Sequence, residues 1–117
     1  MILKDLHKYY NRLEYIRSTA DQIIKDFGFE GIAIHFSGDA YNAYEELFNQ
    51  IDPSIAQLME TNYTRFLAIL YRIDIGEETL KKALKENTSE NVSGVITDLI
   101  IKRELQKVVI RKLYRQL

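Results

Sequence analysis

Cysteine is missing altogether from this chain of 117 residues, which removes disulfide staples, thiolate metal sites and a cysteine nucleophile together. The fold must therefore be held by its own core. Proline occurs once, at Pro53, and three of the five glycines fall between Gly28 and Gly38, so the usual interrupters of helices are scarce elsewhere. No run approaches the ~20 apolar residues of a membrane span. The amino terminus, MILKDLHKYYNRL, carries Lys4, Asp5 and Lys8 inside its apolar stretch, unlike a signal peptide. No membrane association and a cytoplasmic location are the expectation.

Only two histidines occur, His7 and His35, and neither has a glutamate three residues before it. The inward Glu-x-x-His pairs of metal-holding bundles are thus absent, as is a His-Glu-x-x-His zinc motif. Neither a Gly-x-x-x-x-Gly-Lys loop nor a Gly-x-Gly-x-x-Gly turn is present, which leaves a nucleotide cofactor without support. No cofactor, metal or catalytic residue is expected.

What is present fits an ordinary globule, with 46% hydrophobic and 28% charged residues. That balance lacks the low hydrophobicity and high net charge of disordered chains, and the length suits a single helical domain over 1–117. The net charge of −1 hides an uneven layout. Acids outnumber bases from Met1 to Glu60, whereas Leu99 to Leu117 carries Lys102, Arg103, Lys107, Arg111, Lys112 and Arg115 against Glu104 alone. Antiparallel neighbours or a second copy can use this asymmetry to set register.

Apolar residues recur with helical period over most of the chain. Leu3, Leu6, Tyr10, Leu13, Ala20, Ile24 and Phe27 mark a first helix that ends at Gly28, because glycine accepts the left-handed backbone of a closing turn. A second starts near Asp39 or Ala40 with Tyr41, Tyr44, Leu47, Phe48 and Ile51 on one face. Asp52 and Pro53 read as the cap and first residue of a third helix, which carries Ile55, Leu58, Met59, Phe66, Ile69, Leu70 and Ile73, is flanked by Tyr63, Leu67 and Tyr71, and has Asn62 as the polar exception on its face. A pause at Asp74 to Gly76, with Asp74 and Glu77 spaced as a capping box, precedes a short fourth helix. After the polar loop of Asn87, Thr88, Ser89 and Asn91, a long last helix begins at Val92. The expected fold is all-α, an antiparallel bundle of four to five helices with one extended segment near residues 28–38.

In that segment Phe29, Ile32, Ile34 and Phe36 nearly alternate, the pattern of a short strand. With no other strand in the chain, its backbone groups need partners. It either pairs with its own copy across a dimer axis or lies as an extended loop over the bundle. His35, Ser37 and Asp39 stand at steps of two and resemble a hydrolytic set in composition only, since residues spaced this way point alike without facing one another. Ser37 or Asp39 is the expected cap of the next helix.

Two surfaces emerge as candidates for function. Leu99, Ile100 and Ile101 are consecutive on the last helix, more apolar surface than one face of a small bundle covers easily. This nominates Ile101, Leu105 and Val108, with Phe29, Ile32 and Phe36 of the loop, as contacts to a protein partner or a second copy. The row Arg103, Lys107, Arg111 and Arg115 recurs at every fourth residue and shares one side of that helix. Phosphates are its sharpest ligand, a solvated or internally paired face its plainest use. The expected role is a non-enzymatic protein-protein interaction or regulatory module, acting as a homo-oligomer or with a protein partner. The alternative is a nucleic-acid-associated regulator using the basic row.

Overall fold

The computed structural model describes residues 12–88 and 91–115. Five helices occur in them: α1 (Leu13–Phe29), α2 (Ala43–Thr61), α3 (Tyr63–Ile73), α4 (Glu77–Glu86) and α5 (Val92–Arg115). No strand occurs among the described residues, and the architecture is the expected helical bundle. The first positions of the expected first helix, Leu3, Leu6 and Tyr10, lie outside the described residues, as do His7 and Ser89.

Helix α5 is the centre of the fold, and each of the other four helices packs against it. It runs antiparallel to α1, as the pairs Gln22 with Arg111 and Asp26 with Lys107 require. It is antiparallel to α2 as well, where Tyr44 meets Asp98 and Asp52 meets Ser93. The main core joins Ala20, Ile23 and Phe27 of α1 with Leu47, Ile51, Ile55 and Leu58 of α2. Phe66, Ile69, Leu70 and Ile73 of α3 and Ile96, Ile100 and Ile101 of α5 complete it. A second cluster seals the far end with Tyr15, Leu105, Val108 and Val109.

Four boundaries differ from the sequence reading, the simplest being the start of α2, which falls at Ala43 and not near Asp39 or Ala40 because the turn through Asp39, Tyr41 and Asn42 precedes it. Helix α1 continues past Gly28 and is closed by Gly31 at φ +76°. There the Ile32 N–H donates to the Phe27 carbonyl and the Gly31 N–H to the Gly28 carbonyl, both at 3.0 Å, the paired bonds of a Schellman turn. Gly28 itself is an ordinary helical position.

Pro53 does not begin a helix; it lies inside α2. A proline within a helix costs about 3 kcal/mol, but Leu47, Ile51, Ile55 and Leu58 form one unbroken buried stripe across it. Burying several such side chains at about 1.5–3 kcal/mol each outweighs that cost. Asn49, whose carbonyl loses its helical donor, is exposed to solvent. The break falls instead at Asn62, whose side-chain oxygen accepts from the Arg65 N–H at 3.2 Å and caps α3.

The Asp74–Glu77 capping box does not form. Asp74 takes the left-handed conformation at φ 67° and closes α3, with the Ile75 N–H donating to the Leu70 carbonyl. Such a conformation is unfavourable for any residue bearing a Cβ. Arg103 offsets the cost from α5: Nε donates to the Asp74 carbonyl at 3.1 Å and a terminal nitrogen to its carboxylate at 2.9 Å.

Residues 30–42 link α1 to α2 as an extended loop, with no strand partner in the subunit. The side chain of Gln50 on α2 supplies what a neighbouring strand otherwise gives. Its Oε1 accepts the His35 N–H at 2.9 Å and its Nε2 donates to the His35 carbonyl at 2.7 Å. Glu46 accepts the Ser37 N–H at 2.8 Å and its hydroxyl at 2.7 Å. Ile34 is buried, and Ile32 and Phe36 pack against the core.

Two measurements check this account. Replacing Gln50 with Ala is expected to cost about 1 kcal/mol of stability and to remove hydrogen-exchange protection from the His35 amide. Pro53→Ala restores an internal helical hydrogen bond and is expected to raise stability by roughly 1–3 kcal/mol in chemical denaturation.

Candidate interaction surface

The six nominated contact residues divide in two. Ile101, Leu105 and Val108 lie inside the subunit, at most 5% exposed. The apolar girth that nominated them is mostly covered by neighbouring helices of the same chain. Phe29 is 62% exposed at the end of α1, while Ile32 and Phe36 are partly buried on the core.

The basic row is largely engaged within the molecule. Arg103 holds Asp74 and also donates to Gln106 at 2.6 Å. Lys107 lies 2.9 Å from Glu104 and 3.6 Å from Asp26. Arg111 donates to Gln22 at 3.1 Å, and Lys102 pairs with Asp98 at 2.7 Å. Arg115 is exposed at the end of α5. The row therefore joins α5 to α1 and to the α3–α4 corner, and it does not present a continuous cationic track.

His35, Ser37 and Asp39 do not converge. His35 is held through its backbone by Gln50, and Ser37 is tied to Glu46. Asp39 accepts from the Asn42 side chain at 2.9 Å and from the Tyr41 N–H at 3.0 Å, which hold its carboxyl below the ordinary range. Asp39 closes the turn before α2, but the N-cap of that helix is Asn42, with no side-chain cap bond, so neither Ser37 nor Asp39 caps it as the sequence suggested.

A row of exposed large apolar residues lies elsewhere, on the outward face of α3. Tyr63, Leu67 and Tyr71 follow one another at i, i+4 and i+8 and are 57%, 47% and 88% exposed. Phe29 extends this face. The Arg72 guanidinium lies 4.4 Å from the centre of its ring and 3.7 Å from Glu30. Leu67, Ala68 and Tyr71 line a shallow depression bordered by Glu30 and Arg72. The spacing was visible in the sequence, where these residues flank the buried stripe. Which flank stays bare depends on how α3 is rotated against its neighbours, and that is a tertiary fact.

A buried ionic cluster also went unforeseen. Glu104 is fully enclosed, and neither of its oxygens has a well-aligned hydrogen-bond partner. Burial, and then the Asp26 carboxyl beside it, push the Glu104 carboxyl up to about 8, with the Lys107 ammonium opposing. A lone glutamate among six bases reads in sequence as a surface ion-pair partner, and nothing local marks it as interior. Among the described residues no group of three or more histidines, cysteines or acids is placed to hold a metal ion.

The raised value has a definite sign. Between about 4.5 and about 8 the unfolded chain releases the Glu104 proton while the folded protein keeps it, so stability from this group is complete below the lower value and lost as pH rises through the upper one. Glu104→Gln mimics the protonated form. The expected result is a variant close to the wild type at pH 5 and more stable than it by on the order of a few kcal/mol at pH 8–9 in denaturant titrations. No family model, curated protein or solved structure matches the chain, so its function must be read from its own residues.

Proposed function

We propose that this protein is a small cytoplasmic interaction module that binds another protein chain through the outward face of α3 and has no catalytic role. The observation that carries the reading is the aromatic row Tyr63, Leu67 and Tyr71 with Phe29 beside it. Tyrosine and phenylalanine give large contact area for little lost side-chain freedom, which is why they are enriched where proteins meet. Arg72 and Glu30 at the border supply a charged rim of both signs, suited to a partner that is itself mixed in charge. A second copy of the chain meets that description, since the same rim on each subunit offers each sign to the other.

The nucleic-acid alternative receives less support. Phosphate binding draws on cations free to release counterions, and here Arg103 and Lys107 hold acids of the same subunit.

Light scattering at high micromolar concentration tests the reading. A dimer is expected for the wild type, and Leu67→Arg, on an exposed position, is expected to weaken association at least tenfold while leaving the melting temperature within a few degrees. A wild type that stays monomeric at that concentration, or a dimer that Leu67→Arg leaves intact, overturns the assignment of α3 as a self-association face.

A further inference from the structure

The shallow depression on the outward face of α3 has the form of a packing hole. Thr64, Leu67, Ala68 and Tyr71 stand around it at i, i+3, i+4 and i+7, the four positions that receive a knob when helices pack. Ala68 is the small member, and without a longer side chain there the hole stays open. Glu30 and Arg72 border it and lie 3.7 Å apart. Acid and base answer one another, so the rim calls for no net charge in what it meets.

Such a hole fits a flat apolar body with a polar tip, because hydrocarbon forms its floor while Thr64, Glu30 and Arg72 offer hydrogen bonds at its edge. The molecule displays that side chain itself. Tyr71, at 88%, is the most exposed member of the row Tyr63, Leu67 and Tyr71, and it stands on the same face as the hole. Knob and hole on one surface meet the condition for a two-fold contact, in which each copy gives what the other receives.

Helix geometry then sets the orientation. The centre of the hole lies half a heptad before Tyr71, roughly 5 Å along the axis. Parallel copies on a two-fold axis hold equal residues at one level, so Tyr71 would meet Tyr71 and miss the hole. Antiparallel copies remove the offset. We infer that the hollow is filled by Tyr71 of a second copy, with the two α3 helices antiparallel and each tyrosine seated over the other's Ala68. The inference rests on the reading of α3 as a self-association face and names the contact that anchors it. Seating Tyr71 takes the most exposed ring of the row out of water.

The test is rescue between two faulty chains, followed by light scattering. Tyr71→Ala removes the knob and Ala68→Phe fills the hole, and each alone is expected to associate at least tenfold more weakly than the wild type. Mixed in equal amounts, they are expected to pair to within about threefold of the wild-type affinity. The intact Tyr71 of one chain enters the open hole of the other, and the added ring occupies the space the missing tyrosine leaves. Should Ala68→Phe fail to fold, Ala68→Leu takes its place. A mixture no better than its parts, or a Tyr71→Ala variant that associates like the wild type, overturns this contact while a dimer broken by Leu67→Arg still upholds the α3 face. A wild type that stays monomeric at high micromolar concentration overturns the face and the contact together.

Discussion

Enclosure of α5 is the constraint on which the rest of the structure depends. Its buried positions include Val95, Ile96, Ile100, Ile101, Leu105, Val108 and Val109, and they face more directions than one neighbouring helix can cover. The chain meets the demand by wrapping α1, α2, α3 and α4 around that single rod. Enclosure on so many sides traps polar positions as well. Ser93 finds Asp52 and Asn91, whereas Thr97 stays unpartnered in the interior and Glu104 has the Lys107 ammonium at 2.9 Å in place of a well-aligned hydrogen bond. Glu104 keeps its proton for this reason, since the apolar shell that stabilises the helix also strips the carboxylate of water.

The ion pairs follow from the same arrangement. An acidic first half and a basic last helix come to lie antiparallel, and Asp26 meets Lys107 across the α1–α5 seam. The surface pair of Lys81 with Glu77, by contrast, is one of the exposed kind that contributes little, about 0–1 kcal/mol. The contact of Arg103 with Asp74 differs in kind, because it bonds both backbone and side chain of a residue held in a left-handed conformation. It fixes the corner between α3 and α4, where the sequence places no glycine until Gly76.

Periodicity made the helices legible, because core positions repeat wherever one face of a helix is buried. It was a poorer guide to where helices stop. Pro53 is the stronger local signal and Asn62 the weaker, yet the break falls at Asn62, since the stripe through Ile51 and Ile55 holds α2 together across the proline. Gly28 and Gly31 are alike in sequence, and only the position of Ile32 over Phe27 selects the later one. Surfaces were harder still. The apolar run Leu99–Ile101 suggested a partner because a sequence does not reveal how many neighbours a helix will have. For Tyr63, Leu67 and Tyr71 the spacing was plain, but not that the bundle would turn its back on them. The pairing of Gln50 with the His35 backbone joins residues whose spacing carries no signal at all.

Helix α4 stands apart from this tightly enclosed architecture, for none of its residues is buried. Leu80 and Leu84 only rest on the core, and the internal ion pair from Lys81 to Glu77 is solvent-exposed. Ten residues are too few to remain helical in water unaided, so α4 borrows its order from α5 and from the Arg103 anchor at its entrance. Little buried apolar surface and solvent-exposed pairing are the features that go with a low cost of local opening, which sets α4 apart from the enclosed α5.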